Sequence, residues 1–442
     1  MTKSNLMHLG LLTNNSVSPH SIGAWRLPRS YRGTDFTRAS YWQHVARTLE
    51  RGRFDMLFLS DSSNLHDNYK NSPDGAIRYA AQFPRHDPMP LVPICAGVTD
   101  HLGIAATVST AYALPFTLAR HFATLDHLTD GRVGWNIVAS AGLSEAANYG
   151  RDKAMNHDDR YEQADEFVEL CCRLWDSWDP GAVLMDRDSG EFADPDKVHR
   201  VEHVGKYFRC RGPLNVMRSP QVRPMLIQAG SSPRGLQFAT KYAEVQFAAR
   251  GSADGMKQYR RKLNEAMKAQ GRTAADLKVM WGLNVIVDET LEGAKAKQDA
   301  LRSMVTVEGA LALMSGHFNY DLSQLPADKP IGSLETDGIQ GMVDVVTQDF
   351  GRDVTLIEAA RRYGSGVGIM TVLGTPDTVV DELEELYDIG EGDGFMLLTQ
   401  SLPSSIDDLV DLLVPELQRR GRFRTEYDSR TLRGHFFGNG PA

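Results

Sequence analysis

The chain has 442 residues, of which 42% are hydrophobic and 24% charged, and its formal net charge is −9 at pH 7. These values are typical of a globular protein and exclude a disordered chain, and an acidic balance without a basic block argues against a nucleic acid partner. No run of 18 apolar residues predicts a membrane span, and four cysteines without a CxxC pair favour free thiols in the cytoplasm over zinc or disulfides.

Short apolar runs alternate with longer amphipathic segments along the chain. The run FDMLFLS at 54–60 is continuous, as expected of a strand buried on both faces. The segment at 159–175 begins with the Asp-x-x-Glu pattern of a helix start, at Asp159 and Glu162. The predicted strands are 6–12, 54–60, 102–109, 133–139, 224–229, 244–249, 278–287 and 394–399, and the predicted helices are 36–51, 114–128, 159–175, 233–242, 254–270 and 405–420.

This alternation predicts βαβ units and a parallel sheet. Because about eight units can be counted, we predict an α/β fold of the (β/α)8 TIM barrel type with insertion segments, rather than an open doubly wound sheet. The whole chain, 1–442, is expected to form one domain. Three insertions interrupt it, a loop at about 142–156 and longer segments at 181–223 and 306–374, and long insertions are usually functional lids or binding loops.

Polar residues follow several predicted strands. Barrel active sites lie at the carboxyl ends of the strands, so these residues are the first candidates for a site. They are Asp61, Thr107, Ser109, Thr110, Asn136, Ser140, Gly230, Ser231 and Ser232. For Asp61, a plain turn-forming role is the alternative to contact with a ligand.

The segment MLIQAGSSPRG at 225–235 predicts a strand, a turn and a helix with Pro233 in its first turn. Free backbone N–H groups and hydroxyls at a helix N-terminus favour a phosphate. An ordinary capped turn explains the same pattern, so the segment alone does not identify a cofactor.

A histidine–tyrosine pair and four single histidines are further candidates. His157 and Tyr161 lie four residues apart, on one face of a predicted helix, where they could contact a ring or a phosphate oxygen or could form a surface cap. His8, His20, His86 and His317 could act as acids, bases or substrate contacts, although single histidines are commonly structural.

Several catalytic motifs do not occur in the sequence. It contains no Walker A motif, no HExxH and no GxSxG, and the glycines at 364–368 do not form GxGxxG. We therefore do not expect the chain to reduce its own cofactor through a Rossmann domain.

Long motifs resemble the flavin-dependent monooxygenases of the bacterial luciferase superfamily. The strongest is FATLDHLTDGRVGWNIVAS at 122–140. The resemblance is greatest to the branch of nitrilotriacetate, EDTA, long-chain alkane and dibenzothiophene-sulfone monooxygenases. It is weaker between 64 and 90, which faces the substrate in that family. The other matching segments are YWQHVARTLERGRFDMLFLSDS (41–62), HDDRYEQADEFVELCCRLWDSW (157–178), FADPDKVHRVEHVGKYFRCRGPL (192–214), PMLIQAGSSPRG (224–235) and LVPELQRRGRFRTEY (413–427).

The resemblance implies an oxygenase that binds FMN as FMNH2, supplied by a separate NAD(P)H:FMN reductase. It also implies formation of a peroxyflavin with O2, oxygenation of a small organic substrate, and a homodimer or homotetramer. The substrate is expected to be apolar or an organosulfur compound such as a sulfone. The expected FMN contacts are Asp61, Thr107, Asn136, His157, Tyr161, Gly230, Ser231 and Ser232.

A reactive flavin needs shielding from water, and the 306–374 insertion could provide it. His317 and Arg362 within it are expected to help close the site, and His317, His20 and Asn136 are the candidate catalytic residues. Two alternatives stay open: a barrel that transfers hydride with a deazaflavin, and a non-catalytic flavin-binding relative.

Overall fold

The computed structural model describes residues 6–28, 35–140, 142–230, 232–330, 351, 353–398 and 400–438. Within these residues, no helix combines the length and apolarity needed to cross a membrane.

Eight parallel strands close into a barrel in the order β1, β2, β3, β4, β7, β8, β9, β11 and back to β1, so the predicted fold class is confirmed. Each barrel strand lies within three residues of its predicted limits, because strands buried on both faces are continuous apolar runs. The barrel strands are β1 His8–Asn14, β2 Met56–Ser60, β3 Gly103–Ser109, β4 Val133–Val138, β7 Met225–Gln228, β8 Val245–Ala248, β9 Lys278–Val287 and β11 Gly394–Leu398.

Three short strands lie outside this set. The strands β5 His203–Val204 and β6 Arg209–Cys210 form an antiparallel hairpin in the 181–223 insertion. The strand β10 Thr371–Gly374 pairs with the second half of β9, which is the longest strand and extends beyond the barrel wall. The sequence analysis assigned β10 to an insertion, since four residues are too few to show a period.

Helices cover the outside of the barrel. They are α1 Ala39–Arg51, α2 Asp74–Tyr79, α3 Leu91–Ala96, α4 Pro115–Leu128, α5 Leu143–Asn148, α6 His157–Trp175, α7 Pro233–Tyr242, α8 Ala253–Ala269, α9 Leu291–Met304, α10 Val307–Phe318, α11 Leu356–Gly364, α12 Pro376–Gly390, α13 Ser404–Asp408, α14 Val414–Arg419 and α15 Leu432–Phe437.

Two helix predictions and one loop prediction were wrong in detail. Helix α6 begins two residues before the predicted Asp159, because the Asn156 side chain accepts a hydrogen bond from the Asp159 N–H at 2.8 Å and caps the helix. The predicted loop at 142–156 contains α5. The predicted helix 405–420 is α13 and α14 joined by a π-helical turn, Leu409–Leu413, next to Pro415, which has no N–H for the regular pattern.

The amino end of the barrel is closed. Leu432 and Phe436 of α15 pack into the interior with Met56 and Ala105. The approach is so close that a Cβ on Gly103 would lie 2.3 Å from the Leu432 side chain. A site for a ligand is therefore left to the opposite end, where the strands terminate.

Candidate functional site

A cavity of ≈ 480 Å³ opens at the carboxyl ends of the barrel strands. One wall is apolar and consists of side chains from the barrel and from the segment before β10: Leu12, Val138, Phe247, Val367, Ile369 and Leu398. The other wall is polar and comes from the segment after β2 and from helices α5 and α10, and includes Asp61, Ser62, Asn64, His66, Gln82, Arg85, Glu145, His317 and Asn319. The cavity thus offers both apolar contact and hydrogen bonds to one ligand.

Thr107 and Asn136 meet on neighbouring strands because β3 and β4 are paired in register at these two residues. The Asn136 amide nitrogen donates a 2.8 Å hydrogen bond to the Thr107 hydroxyl, and both side chains are buried. Among the residues that the structure describes, the Asn136 amide oxygen has no hydrogen-bond partner. A buried acceptor without a partner costs free energy, so this oxygen suits contact with a ligand N–H or O–H.

Asp61 directly follows β2 and lies on the polar wall of the cavity. Burial raises the pKa of its carboxyl to about 6, although the nearby Arg85 guanidinium opposes the rise and Asp87 adds to it. Asp61 can therefore hold or release a proton close to neutral pH.

The turn after β7 comes close to the start of α6. The Ser232 hydroxyl caps α7 by accepting from the Gly235 N–H at 3.0 Å, so the ordinary capped turn is present. His157 Nε2 lies 3.4 Å from the same hydroxyl. A Cβ on Gly230 would lie 2.3 Å from Gln228 Nε2 and 3.1 Å from the Tyr161 hydroxyl, so this tightly packed turn has no room for a larger residue and lies against Tyr161. Ser231 lies outside the described residues.

Arg160 lies in the first turns of α6 and places a cation near the end of β4. The sequence did not single it out. Its Nη1 donates a 2.6 Å hydrogen bond to the Ser140 carbonyl, whereas its buried Nε has no partner. The sequence feature that could have identified Arg160 was its position between His157 and Tyr161, in the first turns of one helix. A guanidinium close to a helix N-terminus is an arrangement that favours an anion.

Two residues that line the cavity have unusual backbone conformations. Ser140 has φ of 33° and Val367 has φ of 50°, in the left-handed region that non-glycine residues rarely adopt. Such strain concentrates at functional sites, where the surrounding contacts hold it. At Ser140, hydrogen bonds from Arg160 and with the Ser109 hydroxyl at 2.8 Å are those contacts.

His317 and His20 both belong to the cavity wall, from α10 and from the segment after β1. His20 Nε2 lies 3.1 Å from the Leu12 carbonyl. His317 lies between the Tyr363 hydroxyl, at 2.6 Å from Nδ1, and the Gln82 amide oxygen, at 3.3 Å from Nε2. His317 is exposed at the cavity, yet desolvation by the protein around it, together with nearby His66 and Arg85, holds its pKa well below the usual value.

Other candidates lie elsewhere. His8 is at the amino end of β1, where it pairs with Asp55 at 3.0 Å, so its candidacy for the site was wrong. His86 is exposed and packs beside Phe36. Arg362 is exposed on α11 and does not line the cavity, which removes the basis for its expected role in closure.

The sequence analysis also missed Gln82, Arg85 and His66 on the polar wall. Arg85 donates to the Ser62 hydroxyl and to the Gln82 amide oxygen. Burial lowers the pKa of His66 to about 4, and its ring lies 5.2 Å from that of His317. All three lie between β2 and α3, where the sequence shows no regular hydrophobic period. The only sequence signal for this wall was that the stretch differs from the family pattern.

Comparisons with known proteins identify the family and related folds. A family model described as luciferase-like monooxygenase matches residues 8–391. The dibenzothiophene-sulfone monooxygenase of Rhodococcus erythropolis (strain XP) is 40% identical over 443 residues, covering 98% of this chain and 97% of that protein. The crystal structure of DmoA from Hyphomicrobium sulfonivorans superposes with a TM-score of 0.93 at 36% identity, covering 98% of this chain and 92% of that chain. A riboflavin lyase (RcaE) solved with modified FMN and riboflavin has a TM-score of 0.90 at 32% identity, covering 98% and 96%.

Proposed function

Because the chain belongs to the luciferase-like, flavin-dependent monooxygenases, we propose that it is the oxygenase of a two-component system that takes FMNH2 from a separate NAD(P)H:FMN reductase. Its substrate would be a small organic molecule, apolar in part, with an organosulfur compound such as a sulfone as the first class to test. Relatives in this family act on sulfones, and the apolar wall of the cavity suits a hydrocarbon body.

The observation that carries the cofactor proposal is the Asn136 amide oxygen, which is buried without a partner among the described residues, on the same face of β4 as Val138, which lines the cavity. The amide nitrogen donates to the Thr107 hydroxyl, which leaves the oxygen as the end of the amide that accepts from a ligand. An N–H group of an isoalloxazine ring is a suitable donor. The residues present therefore fit a flavin ring at this position.

Arg160, Ser232, His157, Tyr161 and the N-terminus of α7 would hold the phosphate. The positive end of the helix dipole and the guanidinium both favour an anion there. On the polar wall of the cavity, away from the proposed phosphate site, Asp61 can donate or accept a proton near neutral pH. His20 and His317 add ring nitrogens to the same cavity.

When bound, reduced FMN supplies the electrons that activate O2 so that one oxygen atom is transferred to the substrate. The protein contributes exclusion of water and fixed hydrogen bonds. The apolar wall, with Phe247 and Leu398, keeps part of the cavity dry. Helices α10 and α11 belong to the 306–374 insertion and pack together. Because α10 and Tyr363 of α11 border the cavity, these two helices would cover it.

The test supplies FMNH2 through a separate flavin reductase with NADH under ¹⁸O2 and analyses a panel of sulfones, sulfides, alkanes and aminopolycarboxylates by mass spectrometry. We expect one ¹⁸O atom in the product of at least one class, and none when the reductase is omitted. In a parallel assay, substrate oxidation that needs added oxidised deazaflavin as the hydride acceptor and consumes no O2 would instead favour the deazaflavin alternative. O2 consumption that yields only peroxide with every class would count against this proposal.

A further inference from the structure

The polar wall of the cavity contains a chain of hydrogen bonds whose directions can be assigned. The Gln82 amide nitrogen donates to the Pro19 carbonyl at 2.7 Å, which fixes the orientation of the amide. Its oxygen therefore faces Arg85 and His317, and an amide oxygen can only accept.

This orientation also fixes the tautomer of His317. Since the Gln82 oxygen accepts, the hydrogen in the 3.3 Å contact is on His317 Nε2. The Nδ1 atom is then the acceptor, and the Tyr363 hydroxyl donates to it at 2.6 Å. His317 is thus a neutral ring with an N–H at the cavity wall. The groups that face it, His66, His20 and Arg85, all disfavour a second proton.

Arg85 is the second donor at this position. Its guanidinium has five N–H groups, and its described acceptors are the Ser62 hydroxyl and the Gln82 oxygen. Its Nε is buried without a partner, and no carboxylate of the described residues comes within ion-pair distance. The nearest charges are those of Asp61 and Glu145, which attract it without direct contact. Arg85 and His317 contact the same Gln82 oxygen, so the two donors are neighbours.

We propose that Arg85 and His317 form a donor pair that binds the oxygen atoms of a sulfonyl or carboxylate group on the substrate, while the hydrocarbon part packs against Phe247 and Leu398. His317 has a single N–H, so it would turn that hydrogen from the long 3.3 Å contact with Gln82 to the substrate oxygen, and the Gln82 oxygen would keep its hydrogen bond from Arg85. This inference rests on the proposed function, because it concerns the substrate of the same site. Oxygen acceptors in a planar or tetrahedral group suit the fork of a guanidinium. An ammonium group offers no acceptor to either donor, so any binding of it through Asp61 or Glu145 on the same wall should not depend on Arg85.

The test is calorimetric binding of a matched eight-carbon series: methyl octyl sulfone, 1-octanesulfonate, octanoate, 1-octanol and octylammonium. Each ligand is titrated into the full chain without flavin and again with saturating FMN. We expect the three acceptor ligands to bind at least tenfold more tightly than 1-octanol, whose one hydroxyl cannot accept from both donors as well, in one or both forms. The ratio of sulfone to sulfonate affinity distinguishes a neutral group from an anionic one. Equal affinity across the series, or no binding of any member, would overturn the proposal.

Arg85→Met should weaken binding of the acceptor ligands by about tenfold or more and change that of 1-octanol by less than twofold. Arg261→Met, which removes an exposed arginine of α8, is the control and should change neither. An unchanged series in Arg85→Met would contradict the donor pair. Flavin affinity is measured on the same samples, so a failure to bind FMN is distinguished from a failure of this inference.

A variant at Arg85 could fail to fold, so the tautomer gives an independent measurement on the unaltered protein. Nitrogen NMR of ¹⁵N-histidine-labelled protein, with His317 assigned by comparison with His317→Gln, should show a protonated Nε2 and an unprotonated Nδ1 at pH 7. A protonated Nδ1 would remove one of the two donors and sink the proposal.

Discussion

Asn136 and Thr107 lie side by side on β4 and β3, joined by a 2.8 Å hydrogen bond that leaves the buried Asn136 amide oxygen without a partner. If that oxygen receives a flavin N–H, Asn136→Leu should lower FMN affinity by about tenfold, since a hydrogen bond in a buried site contributes on the order of 1–2 kcal/mol. Fluorescence titration of FMN measures the effect. Thermal unfolding without flavin should change little, because the substitution also removes an unsatisfied acceptor.

Arg160 offers a sharper distinction, between the phosphate and the ring of the cofactor. Arg160→Met should weaken FMN binding by about tenfold or more, because a charge-assisted hydrogen bond is lost, and should leave riboflavin binding within twofold. Titrations of both flavins into the same preparations measure the difference. Equal losses for FMN and riboflavin would show that Arg160 acts on the fold, through its contact with the Ser140 carbonyl, and not on a phosphate.

Asp61 should make the free energy of unfolding fall as the pH rises, which is the opposite of the usual effect of a carboxyl group. Its pKa in the folded protein is raised to about 6 by burial, so the folded state binds a proton more tightly than the unfolded state. The stability contributed by the protonated form is present near pH 4 and falls as the pH rises through 6, by on the order of 2 kcal/mol. Urea unfolding at pH 4.5 and 7.5 should show Asp61→Asn gaining stability relative to the original protein at the higher pH. A constant difference would contradict the raised pKa.

Asp55 at the amino end of the barrel should have the opposite pH dependence. Burial alone would raise the pKa of its carboxyl, but Arg424 and His8 outweigh that effect and hold it at about 2. Its stabilising contribution is therefore present at neutral pH and is lost as the pH falls from about 4 toward 2. Asp55→Asn should destabilise the protein at pH 7 by about 3–5 kcal/mol, since it leaves a buried arginine without its partner. FMN affinity of the folded variant should be unchanged, because Asp55 lies at the closed end.

The barrel could be predicted from the sequence because each of its eight strands is buried on both faces and so appears as an apolar run. The family follows from long motifs such as 122–140, and the match over residues 8–391 confirms it. Much of the candidate site also followed, since Asp61, Thr107 and Asn136 terminate or lie near the ends of parallel strands, which must meet at one end of a barrel.

The polar wall could not be predicted in the same way. Gln82 and Arg85 belong to a stretch without periodicity, and they reach the cavity only because tertiary contacts with Pro19, Ser62 and His317 hold them there. The strand β10 and the π-helical turn beside Pro415 are local responses to neighbouring structure, which a single sequence does not show.

Anaerobic titration of the purified protein with FMNH2, followed by mixing with oxygenated buffer in a stopped-flow spectrometer, tests the central claim most directly. The account predicts close to one FMNH2 bound per chain and an oxidation time course that differs from that of free FMNH2, because the bound flavin is shielded from water. A protein that retains no reduced flavin, or that leaves its oxidation identical to that in buffer, would contradict the assignment of the strand ends as a flavin site.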